Sequence, residues 1–198
     1  MPYFIHCKIP QNLIVQANKL APKGAINNRS ITNGERNVVG VLGELCYIKL
    51  IECICVDSFI DYTPTYDYDM LLGTLKFDVK TKQRTVAPRE DYAASIAAYS
   101  KNKQHCDYYA FTSITVDRTT NEYTDFYYLG HIPKNNYFKK ATFKKKGELD
   151  GNNIVNKNGR FKPFTITEDC YNIEYNKLTQ YPISILDGLS NDFNLFHY

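Results

Sequence analysis

Two stretches of alternating character, 66–72 and 75–84, meet at Leu72-Gly73-Thr74, and the alternation predicts the paired strands of a tight hairpin. On the first strand Asp67, Asp69 and Leu71 share one face, with Tyr66, Tyr68 and Met70 on the other. On the second, Lys76, Asp78, Lys80, Lys82 and Arg84 share the polar face, and Leu75, Phe77 and Val79 the apolar one. Upstream, Val38, Val41, Leu42, Leu45 and Ile48 recur at helical spacing and predict a helix over 32–52 with those residues as its buried face. Thr32-Asn-Gly-Glu35 has capping-box spacing at its start. Gly40 and Gly43 cost such a helix about 1 kcal/mol each relative to Ala, which points to close approach by a strand or a ligand. Glu44 stands one turn beyond Gly40. Helix and hairpin together direct three carboxylates (Glu44, Asp69 and Asp78) and the Lys80 ammonium toward one point. Such a cluster is costly unless a divalent cation sits among the acids.

The rest of the chain supplies the frame. Residues 1–30, with Pro2, Pro10 and Pro22, read as irregular. A short apolar strand is expected over 54–60 and a helix over 89–99, where strong helix formers follow an acidic first turn. Strands follow at 107–116 and 123–130, then a short helix at 133–141 with Pro near its start. The Lys-, Asn- and Gly-rich stretch 142–162 reads as an exposed loop or long hairpin. The order to residue 116 is therefore helix, strand, strand, strand, helix, strand.

Composition sets the outer bounds. A chain of 198 residues fits one domain over 1–198, with a core at about 33–117 and an extension at about 118–198. Apolar and charged fractions of 43% and 23% belong to an ordinary globular protein. A net charge of +3 permits a nucleic-acid partner without demanding one. The opening residues do not resemble a secretory signal, and the apolar stretch 42–56 is too short and too charged to span a bilayer. Hence no membrane partner and a cytoplasmic setting are expected. The six cysteines, Cys7, Cys46, Cys53, Cys55, Cys106 and Cys170, lack metal-ligand spacing and read as free thiols. His6, His105, His131 and His197 form no ligand set, and no phosphate-binding glycine loop or nucleophile elbow is present.

A lone acid-x-lysine triplet arises by chance about twice in a chain of this size, so Asp78-Val79-Lys80 signifies only in context. That context is Gly40-x-x-Gly43-Glu44, then Asp67-Tyr68-Asp69, then Asp78-Val79-Lys80-Thr81-Lys82. The combination resembles the PD-(D/E)XK nuclease superfamily, most closely its small phage-type members, and the resemblance covers roughly residues 33–117. Tyr127-Tyr-Leu-Gly130-His-Ile-Pro133 and Ala141-Thr-Phe-Lys-Lys-Lys-Gly147 are also similar to those proteins. The proline that names the superfamily does not precede Asp69; Tyr68 stands there. Asp67 on the same face is a rival to Asp69, which the apolar Met70 after it and its nearness to the turn favour.

The resemblance implies an α/β fold with a restriction-endonuclease-like core, its mixed central sheet flanked by helices, and a C-terminal β-rich extension. It implies Mg²⁺- or Mn²⁺-dependent hydrolysis of phosphodiesters, in DNA rather than RNA, in a bacterial or phage-infected cytoplasm. Endonuclease action is favoured over exonuclease action. Asp69 and Asp78 would ligate the metal, with Glu44 as a third carboxylate and the Val79 carbonyl as a further oxygen. Hard oxygen donors suit those ions better than Zn²⁺. Lys80 would orient the attacking water or stabilise charge on the phosphate. Lys82, Arg84, Arg89, Lys101 and Lys103 are candidates to neutralise phosphates, and paired copies would cut both strands. The rival readings are a catalytically silent nuclease-like module for nucleic-acid binding or assembly, and a metal-dependent enzyme on another phosphate substrate.

Overall fold

The computed structural model describes residues 4–21, 37–54, 59–65, 67–155 and 161–180, with backbone alone at 37, 151–155 and 161–162. The capping box at 32–35, Tyr66, Cys55 and His197 lie outside the described residues. In chain order the elements are β1 (Ile5–Lys8), α1 (Gln11–Leu20), α2 (Asn37–Ile54), β2 (Ile60–Asp61), β3 (Met70–Leu72), β4 (Leu75–Arg84) and β5 (Ala93–Ala97). There follow α3 (Ser100–Lys103), β6 (Tyr108–Val116), β7 (Tyr123–Pro133), α4 (Lys134–Lys140), β8 (Thr142–Lys144), β9 (Leu149–Val155), β10 (Phe161–Thr165) and β11 (Cys170–Glu174).

The class is α/β, built on a mixed six-stranded sheet in the order β1-β7-β6-β4-β3-β2. All its pairings are antiparallel except β4 with β6, which run parallel. The hairpin turns at Gly73, whose φ of 60° is the left-handed conformation that glycine adopts without a Cβ penalty. Its register pairs Met70 with Phe77 and Leu71 with Lys76, so the pleat carries Asp69 and Asp78 onto one face.

On one face of the sheet α2 lies across β4. Leu42, Tyr47, Phe77, Val79, Ala110, Ile114, Phe126 and Tyr128 form the core there. Val39, Cys46, Tyr47 and Ile51 are buried on α2, whereas Val38, Val41 and Ile48 are only half-buried. The buried face is therefore broader than the expected one, because α1 packs against α2 with Leu13, Ile14 and Ala17 and covers a second side of it. Gly43 marks the tightest point. A Cβ there would stand 1.9 Å from Thr81 Oγ1, so a strand residue fills the space a side chain would need.

The other face departs from the expectation of flanking helices. A three-stranded sheet, β5-β11-β8, packs there with α4. Its core is Ala94, Ile96, Tyr109, Phe111, Leu129, Ile132, Tyr137, Ile173 and Tyr175. The helix expected over 89–99 is instead a strand followed by a single helical turn. Ala94 and Ile96 are buried and their neighbours half-buried, a period of two. Pairing of Ala93–Ala97 with β11 overrides the helix propensity of the alanines. Residues 1–30 are likewise not wholly irregular, since β1 pairs with β7 and α1 begins directly after Pro10. The stretch 142–162 contains β8 and the first strand of the β9–β10 hairpin. The main sheet thus draws β1 and β7 from both sides of residues 33–117.

Candidate active site

Beyond Met70 the chain leaves the β3–β4 ladder, and Asp69 takes its place there. Its backbone N–H donates to Phe77 O at 2.8 Å, and its Oδ2 accepts from Val79 N–H at 2.6 Å. The carboxylate thus occupies a strand-edge donor that a longer β3 would have taken. The expected strand over 66–72 is shortened because Thr65 Oγ1 accepts from the N–H groups of Asp67 and Tyr68, folding that segment into a tight loop.

Asp78, on the neighbouring strand, is 3% exposed. Lys80 Nζ stands 2.5 Å from Asp78 Oδ2, yet no donor is aligned for a hydrogen bond on that buried oxygen. Gln104 Nε2 donates to Asp78 Oδ1 at 3.3 Å, and Tyr109 Oη donates to Gln104 Oε1 at 3.3 Å. The Lys134 ammonium donates to the Gln104 carbonyl. On α2, Glu44 accepts from Tyr62 Oη at 2.8 Å. Gly40, one turn back, would hold a Cβ 3.8 Å from Glu44 Oε1, an ordinary contact.

The electrostatics tie these groups together. Burial, then the negative charges of Asp78 and Glu44, pushes the Asp69 carboxyl well above its ordinary value, against the opposing pull of Lys80 and the Val79 N–H. Burial also raises Glu44; Asp78 adds to that, while Tyr62 and Lys80 oppose it. For Lys80, burial works to lower the ammonium, but Asp78 and Asp69 outweigh it and hold the group above its usual range. Two acids resist ionisation side by side. A cation among them would relieve that strain.

The donor chemistry fits a hard divalent cation: carboxylates of Asp69, Asp78 and Glu44 with the Val79 carbonyl in the same stretch. Among the described residues, no group of three or more His, Cys, Asp or Glu side chains stands placed to hold a metal ion. Asp67 does not join the cluster, since its Oδ1 pairs with His105 Nδ1 at 3.0 Å on the exposed rim. Of the network around the acids, Gln104 stands where the sequence already leaves room for a supporting or base-contacting residue, whereas Tyr62, Tyr109 and Lys134 went unread. Spacing alone carries no signal for partners 18 to 56 positions away.

The five basic candidates separate. Lys101 and Lys103 are exposed on α3, directly before Gln104, with their ammonium groups over the rings of Tyr171 and Tyr99. Arg89 is exposed and clamped by Asp91 at 3.0 and 2.5 Å. Lys82 and Arg84 are tied into the fold. Lys82 Nζ donates to Ala93 O at 2.8 Å and Ser95 Oγ at 3.0 Å. Arg84 lies 4.6 Å from the Tyr92 ring centroid and donates to Tyr175 Oη at 3.0 Å. Both line a cleft of about 610 Å³ between β4, β5, β10 and β11, which also reaches Gly40 on α2.

Cys7, Cys46, Cys53, Cys106 and Cys170 carry free thiols. No helix among the described residues is long and apolar enough to cross a membrane. No protein family, curated protein or solved structure matches the chain.

Proposed function

We propose that this chain is a nuclease of the PD-(D/E)XK type that hydrolyses phosphodiester bonds in DNA with Mg²⁺ or Mn²⁺. One observation carries the reading. Asp69, directly before β3, stands beside Asp78 and Lys80 of β4, and the charge of Glu44 on α2 acts together with theirs. The parallel pairing of β4 with β6 beside an antiparallel hairpin, with α2 packed across it, supports a restriction-endonuclease-like core.

Asp69, Asp78 and the Val79 carbonyl would hold the cation, with Glu44 directly or through water. The metal supplies Lewis acidity toward a phosphate oxygen and a lowered pKa for bound water. Lys80, kept charged by its acids, presents its ammonium to the attacking water or to the developing phosphate charge. Gln104 and Tyr109 hold Asp78 in one orientation, and Tyr62 does so for Glu44. Lys101 and Lys103 offer exposed cations beside the site for flanking phosphates. A pair of copies cutting opposite strands, in a bacterial or phage-infected cytoplasm, completes the proposal.

The test is incubation with supercoiled plasmid, single-stranded DNA and RNA in Mg²⁺, Mn²⁺ or Ca²⁺. The expected result is nicked and linear plasmid in Mg²⁺ and Mn²⁺ and intact plasmid in Ca²⁺, with an Asp78→Asn variant inactive. Intact substrates under every condition, with a folded protein, would remove the enzymatic reading. Sedimentation with and without DNA tests the pairing of copies.

A further inference from the structure

Lys82 is an ionisable side chain in an unusual position. It points off β4 into the 610 Å³ cleft, a volume suited to a small organic ligand. Among the described residues it makes no ion pair; its partners are the neutral Ala93 carbonyl and Ser95 hydroxyl. A part-buried ammonium whose hydrogen bonds go only to neutral acceptors is costly, and a neutral amine fits the geometry better. Its two N–H bonds satisfy the two acceptors, and the nitrogen lone pair is left for the cleft. The facing groups are Arg84, Asp150, Glu168 and Cys170. Burial, reinforced by the Arg84 cation, brings the Lys82 ammonium down to about 8, against the opposing pull of Asp150 and Cys170. An amine of lowered basicity lining a cleft is the arrangement of a Schiff-base lysine.

We propose that Lys82 is a carbonyl-reactive amine that captures a phosphorylated aldehyde in this cleft as an imine. Arg84 supplies the positive charge for the phosphate from the next position on the same face. The lone pair of Nζ attacks the carbonyl carbon, forming the C–N bond, and the carbonyl oxygen takes up a proton. The resulting carbinolamine loses its hydroxyl as water, with Asp150 and Glu168 in the cleft as carboxylates for the proton transfers. The products are the imine and one water, with no change of oxidation state. The class member that a DNA-cutting chain meets is the open-chain sugar of a baseless nucleotide; this identification rests on the nuclease reading, whereas the amine chemistry does not.

The experiment traps the imine with cyanoborohydride in EDTA, so that metal-dependent cleavage plays no part. One arm uses an oligonucleotide with a single baseless site, the other glyceraldehyde 3-phosphate. The expected result is a stable adduct in both arms, mapped by peptide mass to Lys82 and reduced at least tenfold in Lys82→Arg, which keeps the charge. Trapping should level off above pH of about 8, whereas an ordinary lysine continues to gain toward pH of about 10. Adduct from the small aldehyde alone overturns the nucleotide assignment. No adduct at Lys82 in the unaltered protein, or equal trapping by Lys82→Arg, overturns the proposal.

Discussion

At the scale of single residues, the acids of the site work against the fold that holds them. Asp69 and Glu44 are both raised by burial and by mutual repulsion with Asp78, so their ionised forms are disfavoured in the folded chain. Asp69→Asn removes one charge and keeps the shape of the acceptor for the Val79 N–H. The expected outcome is loss of cleavage by about 10² or more, with thermal stability unchanged or higher in metal-free buffer. Activity assays beside a melting curve check both halves, and a melting temperature lowered by several degrees would contradict the second. These acids were legible because a strand repeats every two residues, which puts Asp69 and Asp78 on one face once the turn at Gly73 is placed. Their supports were not. Gln104 reaches Asp78 across 26 positions and Tyr62 reaches Glu44 across 18, separations on which local periodicity is silent.

At the scale of elements, the two glycines of α2 separate by what lies beneath them. Gly40→Ala meets only Glu44 Oε1 at 3.8 Å and should gain up to about 1 kcal/mol from helix propensity. Gly43→Ala gains the same propensity, but its Cβ falls 1.9 Å from Thr81 Oγ1 and 2.7 Å from Thr81 Cγ2. Forcing α2 off β4 costs about 1–3 kcal/mol, so overpacking wins and the variant should be less stable. Denaturant unfolding of the two variants separates them; equal stabilisation would show that α2 does not press on Thr81. The same physics explains which elements were readable. The α2 helix and the β3–β4 hairpin declare themselves through local pattern. The β5 strand contains the run Ala93-Ala94-Ser95-Ile96-Ala97, which carries no local preference against helix, and becomes a strand by pairing with β11, some 75 residues away. The short α1 escaped notice because Pro10, read as a breaker, is the residue from which it starts.

At the scale of the whole molecule, the raised acids link folding to pH and to metal. Between their ordinary unfolded values and their higher folded ones, the folded chain binds more protons than the unfolded chain. Stability therefore falls as pH rises through that window in metal-free buffer. A divalent cation that binds only the folded, ionised site should reverse the trend and raise the melting temperature with the logarithm of its concentration above Kd. Thermal melts from pH 4 upward with EDTA or Mn²⁺ read both effects; identical curves would mean that the carboxylates are not coupled to folding. The α/β class and the mixed sheet agree with what the resemblance implies, although the helix expected over 89–99 is a strand. The strand order was not legible, because β1 joins β7 and the small sheet assembles from β5, β8 and β11 through contacts that span most of the chain. The most direct measurement is Mn²⁺ binding by calorimetry, run beside plasmid cleavage, for the unaltered chain, Asp69→Asn, Asp78→Asn and Lys80→Met. The account predicts metal binding lost in both aspartate variants, retained in Lys80→Met, and cleavage lost in all three. Undiminished Mn²⁺ binding by Asp69→Asn and Asp78→Asn, or cleavage that survives in any of the three, would contradict it.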